Sequence, residues 1–172
     1  MKGFLEFVFL TTVFFAGFSS IFAQQRFPYE EYDPRTLAEL VSLNEEASKT
    51  MPKDKGQMII NGKPFYSAVR VKYVGTSKPL SKEETDFLKL WQTSLGYPEE
   101  ILVLYENKYL FKECDQEYWI PVQKQLTTYF PKELKAGDMI TLYLMYPGGL
   151  KLKSADSWNF IFLVNEFVKY KD

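Results

Sequence analysis

Two stretches near the carboxy terminus most tightly limit what this chain can fold into. Residues 139–146 and 159–168 read as strands, and a strand with one wet face alternates apolar and polar side chains. These two do not alternate. Ile140, Leu142 and Leu144 point one way, while Met139, Tyr143 and Met145 point the other. Phe160, Phe162, Val164 and Val168 share a face, and Ile161, Leu163 and Phe167 line its opposite. Both strands therefore require cover on two sides, with helix on one face and a closed or folded-over sheet on the other.

The amino terminus has a different character. Lys2 precedes an apolar run over residues 4–18 with one charge, Glu6, and then the small residues Ser19, Ser20 and Ala23. This is the layout of a secretory signal, residues 1–23, cleaved after Ala23. An uncleaved anchor fits less well, because the flanking charge is weak and small residues occupy the cleavage position. The chain is expected to be exported, either to a periplasm or outside the cell. Residues 24–32 read as an extended lead-in, and residues 33–172 as one domain. A mature chain of about 150 residues can bury roughly two-thirds of its unfolded surface without disulfides. Its one cysteine, Cys114, is expected to be buried.

Asp33-Pro34 predicts a helix start, with Asp at the N-cap and Pro at the first helical position. Leu37, Leu40, Val41, Leu43 and Ala47 follow as its stripe. Residues 57–61 and 65–75 are expected to form a hairpin around Asn61-Gly62, a pair suited to a positive-φ turn. Phe65, Val69, Val71 and Tyr73 would face inward there, with Arg70 and Lys72 in water. Ser81 and Glu84 fit a capping box. Phe87, Leu88, Trp91 and Leu95 continue as a helical stripe that Gly96 stops, and this helix should cover the outer face of the terminal strands. Residues 101–105 and 109–114 are expected to pair around Glu106-Asn107-Lys108, with 118–122 as a further strand. Residues 123–134 allow one helical turn. Residues 147–158 read as a long loop.

The pattern predicts an α+β domain, a strongly curled antiparallel sheet or small open barrel with two helices packed on it. A helical turn followed by Gly137-Asp138 before a long strand is similar, in topology alone, to oligomer-binding and SH3-like small barrels over about the last 70 residues.

Histidine is absent from all 172 residues. That removes Ser-His-Asp and Cys-His catalysis and His-ligated metal sites. One cysteine makes neither a thiolate zinc site nor a redox pair, and no phosphate-binding glycine loop occurs. No metal or other cofactor is expected. A net charge of −1, with lysines interrupted by acids, argues against nucleic acid as partner. Two carboxylates across a cleft could still hydrolyse a glycoside. Glu113, Asp115 and Glu117 are the densest acidic group, although a solvated turn accounts for them better. Glu166, interrupting an apolar strand, is expected to face a basic partner.

Twelve tyrosines point to recognition, since Tyr offers large contact area with a polar tip. The expected function is that of a non-enzymatic binding or accessory domain. It would take a protein partner or envelope glycan on an aromatic surface near Tyr118, Trp119, Tyr143, Tyr146 and Trp158. The alternatives are a carboxylate-based carbohydrate hydrolase and a structural, oligomerising envelope component.

Overall fold

The computed structural model of the chain describes residues 27–50, 58–97, 104–151 and 157–170. The expected signal segment lies outside them. Asp33–Pro34 is a short strand, β1, followed by helix α1 (Leu37–Lys49), strand β2 (Met58–Pro79) and helix α2 (Lys82–Ser94). Next come β3 (Tyr105–Glu113), β4 (Gln116–Gln123), the one-turn helices α3 (Lys124–Thr127) and α4 (Phe130–Glu133), and strands β5 (Met139–Lys151) and β6 (Trp158–Lys169).

The sheet runs β1-β2-β3-β4-β6-β5, and β5 pairs back onto β2. Strands β2 to β6 thus close a five-stranded barrel rather than the open one expected. It is mixed rather than antiparallel, because β6 turns back from β5 and arrives parallel to β4, joined at Val122↔Val164. The doubly apolar strands have their two covers. Ile140, Leu142, Leu144, Phe162 and Val164 fill the barrel interior. Leu150, Ile161 and Leu163 lie on the outside against Phe87, Leu88 and Trp91 of α2, as the stripe on that helix predicted. Phe167 breaks the expected parity and points inward. Tyr143 pairs with Glu166 and Leu144 with Val164, so Asn165 is an extra residue that reverses the alternation beyond it.

Several local expectations yield to longer-range pairing. Asn61-Gly62 makes no hairpin: β2 continues through it, and the pair forms a bulge against β5 between Ile60↔Gly148 and Phe65↔Tyr146. Gly62 lacks the positive φ of a tight turn, and the Asn61 carbonyl accepts a bond from Trp91 Nε1 at 3.3 Å. Glu106-Asn107-Lys108 likewise lies within β3, and the reversal into β4 occurs at Cys114-Asp115. Cys114 has φ +52 there and is exposed, not buried, because the tip of a two-residue turn has no core to enter. The expected loop 147–158 is shorter. Residues 147–151 extend β5 and Trp158 opens β6, while residues 152–156 lie outside those described.

Helix α1 starts at Thr36, not Asp33. Thr36 and Glu39 form a capping box, and Glu113 at the end of β3 accepts the Leu37 and Ala38 amides at 2.8 and 2.9 Å. Asp33-Pro34 instead pairs parallel with Ser67-Ala68. The Ser81–Glu84 capping box and the stop at Gly96 (φ +71) are as the sequence implies. Phe130 of α4 sits among Tyr73, Tyr109 and Phe167, with ring centroids 5.4, 4.9 and 5.0 Å away.

Where β5 leaves the barrel, Gly148 has φ +141, and a Cβ there would lie 1.9 Å from the Ile59 carbonyl oxygen. Gly148→Ala should destabilise by about 3 kcal/mol, since both the backbone and its neighbour resist. Gly62→Ala, with nothing within 4 Å of the new Cβ, should change stability by no more than about 1 kcal/mol. Urea unfolding of the two variants checks this.

The turn into β5 is held by Asp138, which accepts from Lys169 Nζ at 2.6 Å and the Lys135 amide at 2.7 Å. These partners hold its carboxyl below the usual range. A depressed folded-state pKa adds stability above the unfolded pKa, and that stability is lost as pH falls through the folded value. Asp138→Asn should therefore be less stable than the parent at neutral pH, with the difference vanishing in acid, as thermal melts across pH 2–7 would report.

Candidate functional site: a cleft in the barrel wall

Strands β4 and β6 touch through one paired position, Val122↔Val164, and then diverge. Between them lies a cleft of about 620 Å³, within the size range of ligand sites. Its long walls are residues 117–120 of β4 and, on the other side, Ser157 with residues 158–160 of β6, with Phe162 deeper. Val41 of α1 completes the apolar side. Ser81, Glu83 and Glu84 at the start of α2, together with Lys108 of β3, form the polar end.

Strand alternation distributes the chemistry. Ile120 and Phe162 belong to the interior core, and Tyr118, Phe160 and Val41 pack against it. Trp158 is two residues before Phe160 and lies parallel to it, with ring planes 9° apart and centroids 6.3 Å apart. Gly149 on the neighbouring strand makes room for this, since a Cβ there would come within 2.8 Å of Phe160 Cδ1. On the outer side the Lys78 ammonium sits 3.8 Å over the Trp119 ring, and Lys112 pairs with Glu117 at 2.9 Å. Burial, then the neighbouring Glu113 charge, pushes the Tyr118 hydroxyl pKa up.

The polar end is rigid. Glu84 caps α2 by accepting the Ser81 amide at 2.8 Å, and both its oxygens bind Lys108 Nζ, at 2.6 and 2.7 Å. Asn159 Nδ2 reaches the same carboxylate at 3.4 Å. One buried acid thus ties α2, β3 and β6 together beside the aromatic walls.

Of the expected site residues, Tyr118, Trp119 and Trp158 come together here. Tyr146 does not join them: it is 3% exposed, faces the barrel interior and packs at a tilt against the Phe65 and Phe162 rings, and burial raises its pKa. Tyr143 lies on the opposite face of β5 beneath Phe27, Tyr29 and Tyr32. Alternation along β5 separates the two, and neither lines the cleft. Sequence reasoning missed Phe160, Asn159 and Lys108. Phe160 was legible as the i+2 neighbour of Trp158, whereas the other two became part of the site only through tertiary pairing.

The acidic group does not converge. Glu113 is occupied by the first amides of α1, Asp115 is exposed in the turn, and Glu117 faces Lys112. Glu166, half-buried at the bulge, accepts the amide of Phe167 at 2.8 Å rather than a basic side chain in that bond.

No family model and no curated protein matches the chain. Among solved structures it is similar to a chain of a replication protein A heterotrimer bound to ssDNA, at a TM-score of 0.36 and 8% identity. The match covers 82% of this chain and 37% of that one, so the present chain spans little more than a third of its length. Among the described residues no helix is long and apolar enough to cross a membrane.

Glu84→Gln should cost about 3 kcal/mol, because it leaves the largely buried Lys108 ammonium without its counter-charge. Lys112→Ala at the exposed Glu117 pair should change stability by less than about 1 kcal/mol. Chemical denaturation of both variants tests the contrast.

Proposed function

We propose that this chain is an exported, non-enzymatic binding module whose ligand, a protein partner or an envelope glycan, lies in the cleft between β4 and β6. The observation that carries the reading is the convergence of Tyr118, Trp119, Trp158 and Phe160 on one cleft stiffened by the Glu84–Lys108 pair. Aromatic walls give a ligand large contact area at low conformational cost, and a rigid polar end fixes its orientation. The cleft is lined by three carboxylates and one ammonium, a set without the basic excess that phosphate backbones call for. Nucleic acid is therefore not the proposed ligand.

Hydrolysis is not favoured, since Glu113 is spent on a helix terminus and Glu84 on Lys108. The strand order, with short helical turns between β4 and β5, supports assigning the barrel to the oligomer-binding type rather than the SH3-like one. Export rests on the signal-like residues 1–23, and mass spectrometry of the chain recovered from its producing cell should find Gln24 at the amino terminus.

The binding reading is tested by tryptophan fluorescence. The chain has three tryptophans, and Trp91 is buried on the inner face of α2, so a cleft ligand reports through Trp119 and Trp158. A ligand selected from immobilised oligosaccharide and peptide panels should quench this emission. Trp158→Ala should weaken its binding by about 2 kcal/mol, roughly thirtyfold. A selected ligand indifferent to both Trp158→Ala and Trp119→Ala would overturn the assignment.

A further inference from the structure

The cleft is also an interruption of hydrogen bonding. Everywhere else in the barrel, neighbouring strands are paired over several residues. At the seam, among the described residues, β4 and β6 share Val122↔Val164 alone. Strand β4 has β3 on its far side through Glu113↔Gln116, and β6 has β5 on its far side through Lys151↔Trp158. Among the described residues each therefore presents one unpaired edge to the same gap. The two-residue turn at Cys114-Asp115 makes Glu113–Gln116 the closing hydrogen-bonded pair. Bonding to β3 then falls on alternate residues of β4, and Glu117 and Trp119 direct their N–H and C=O groups into the seam.

From this geometry we infer that the occupant is an extended polypeptide segment of a protein partner, added as a strand along the β4 edge alone, its other edge left unbonded in the cleft where β6 has diverged. This rests on the binding reading above and names its partner class. The chemistry of the two sides specifies the segment further. Residues of the incoming strand that point inward meet Tyr118, Ile120 and Phe160, and those that point outward meet Trp119, Glu117 and Asn159. The segment thus alternates apolar and polar side chains, the period-two pattern of a strand with one buried face. Strand addition of this kind takes affinity from main-chain bonds and specificity from alternate side chains. A saccharide would use the aromatic rings and leave the vacant amide groups to water.

The test is selection of a random dodecapeptide display library on the mature chain, alongside a panel of defined oligosaccharides. Selected peptides should alternate apolar and polar residues, compete with one another, and bind less tightly to Trp158→Ala. N-methylation along a selected peptide should weaken binding about tenfold at every second residue and by less than threefold between them, because only alternate amides face the β4 edge. Amide exchange at Trp119 should slow when the peptide is bound. Peptides whose N-methyl variants show no alternation, or that leave Trp119 exchange unchanged, overturn strand addition. Binding of oligosaccharides alone also overturns it while leaving the binding module standing. Failure of both panels overturns the binding reading as well.

Discussion

The close passage of β5 beside β2 at Gly148 is the constraint on which the remaining architecture depends. Any side chain at that position would collide with the Ile59 carbonyl, and its φ of +141 lies where L-residues are strained. With no side chain there, β5 stays paired to β2 beyond the barrel proper and carries β6 with it, from Gly148↔Ile161 to Lys151↔Trp158. The result is a three-stranded ribbon standing on the barrel. Its outer face is covered by α2, and its inner face carries Trp158 and Phe160. Gly149 extends the same logic by leaving room for the Phe160 ring.

That ribbon explains why the wall opens where it does. Past Val164, β6 follows the barrel. Before it, β6 follows the ribbon away from β4. The bulge at Asn165 marks a second change of course and is anchored by a small polar network. Asn165 Nδ2 donates to the Tyr32 hydroxyl at 3.1 Å, and its Oδ1 accepts from the Tyr105 hydroxyl at 3.2 Å. Gln123 Nε2 donates to the same Tyr105 oxygen at 3.2 Å. Buried amides and hydroxyls of this kind are costly unless paired. Pairing them pins Tyr32 to the outside of the barrel. Burial raises the pKa of both tyrosines, so they remain neutral donors and acceptors at physiological pH.

How much of this was legible in the sequence depends on the range of the interaction responsible. The capping box at Ser81, the stripe on α2 and the turn at Gly137-Asp138 are written in residues three or four apart. The double burial of β5 and β6 follows from composition at alternate positions. What escaped was decided by distant partners. Asn61-Gly62 is a turn signal that β5 overrides by pairing on both sides of it. Thr36 displaces Asp33 as N-cap because Glu113, from another strand, fills the first amides of α1. Phe167 changes face through one inserted residue, which no periodicity shows. For the cleft, Trp119 and Trp158 were readable as aromatic candidates. Tyr143 and Tyr146 were not separable from them until the strand's two faces were assigned to core and exterior.

The pairing of β2 with β5 also bears on how the chain reaches this state. It joins Met58 to Leu150 and Lys72 to Met139, so the rungs that seal the cylinder connect segments far apart along the polypeptide. Such a topology has high contact order, and the entropy of closing the intervening chain must be met before those rungs give anything back. The β3–β4 ribbon, closed by a two-residue turn, can form early, whereas sealing comes late and slowly. Until then β5 and β6, apolar on both faces, lie uncovered. A newly made chain of this kind is exposed to misassembly during that interval and stands to gain from a holding chaperone until its ends have met.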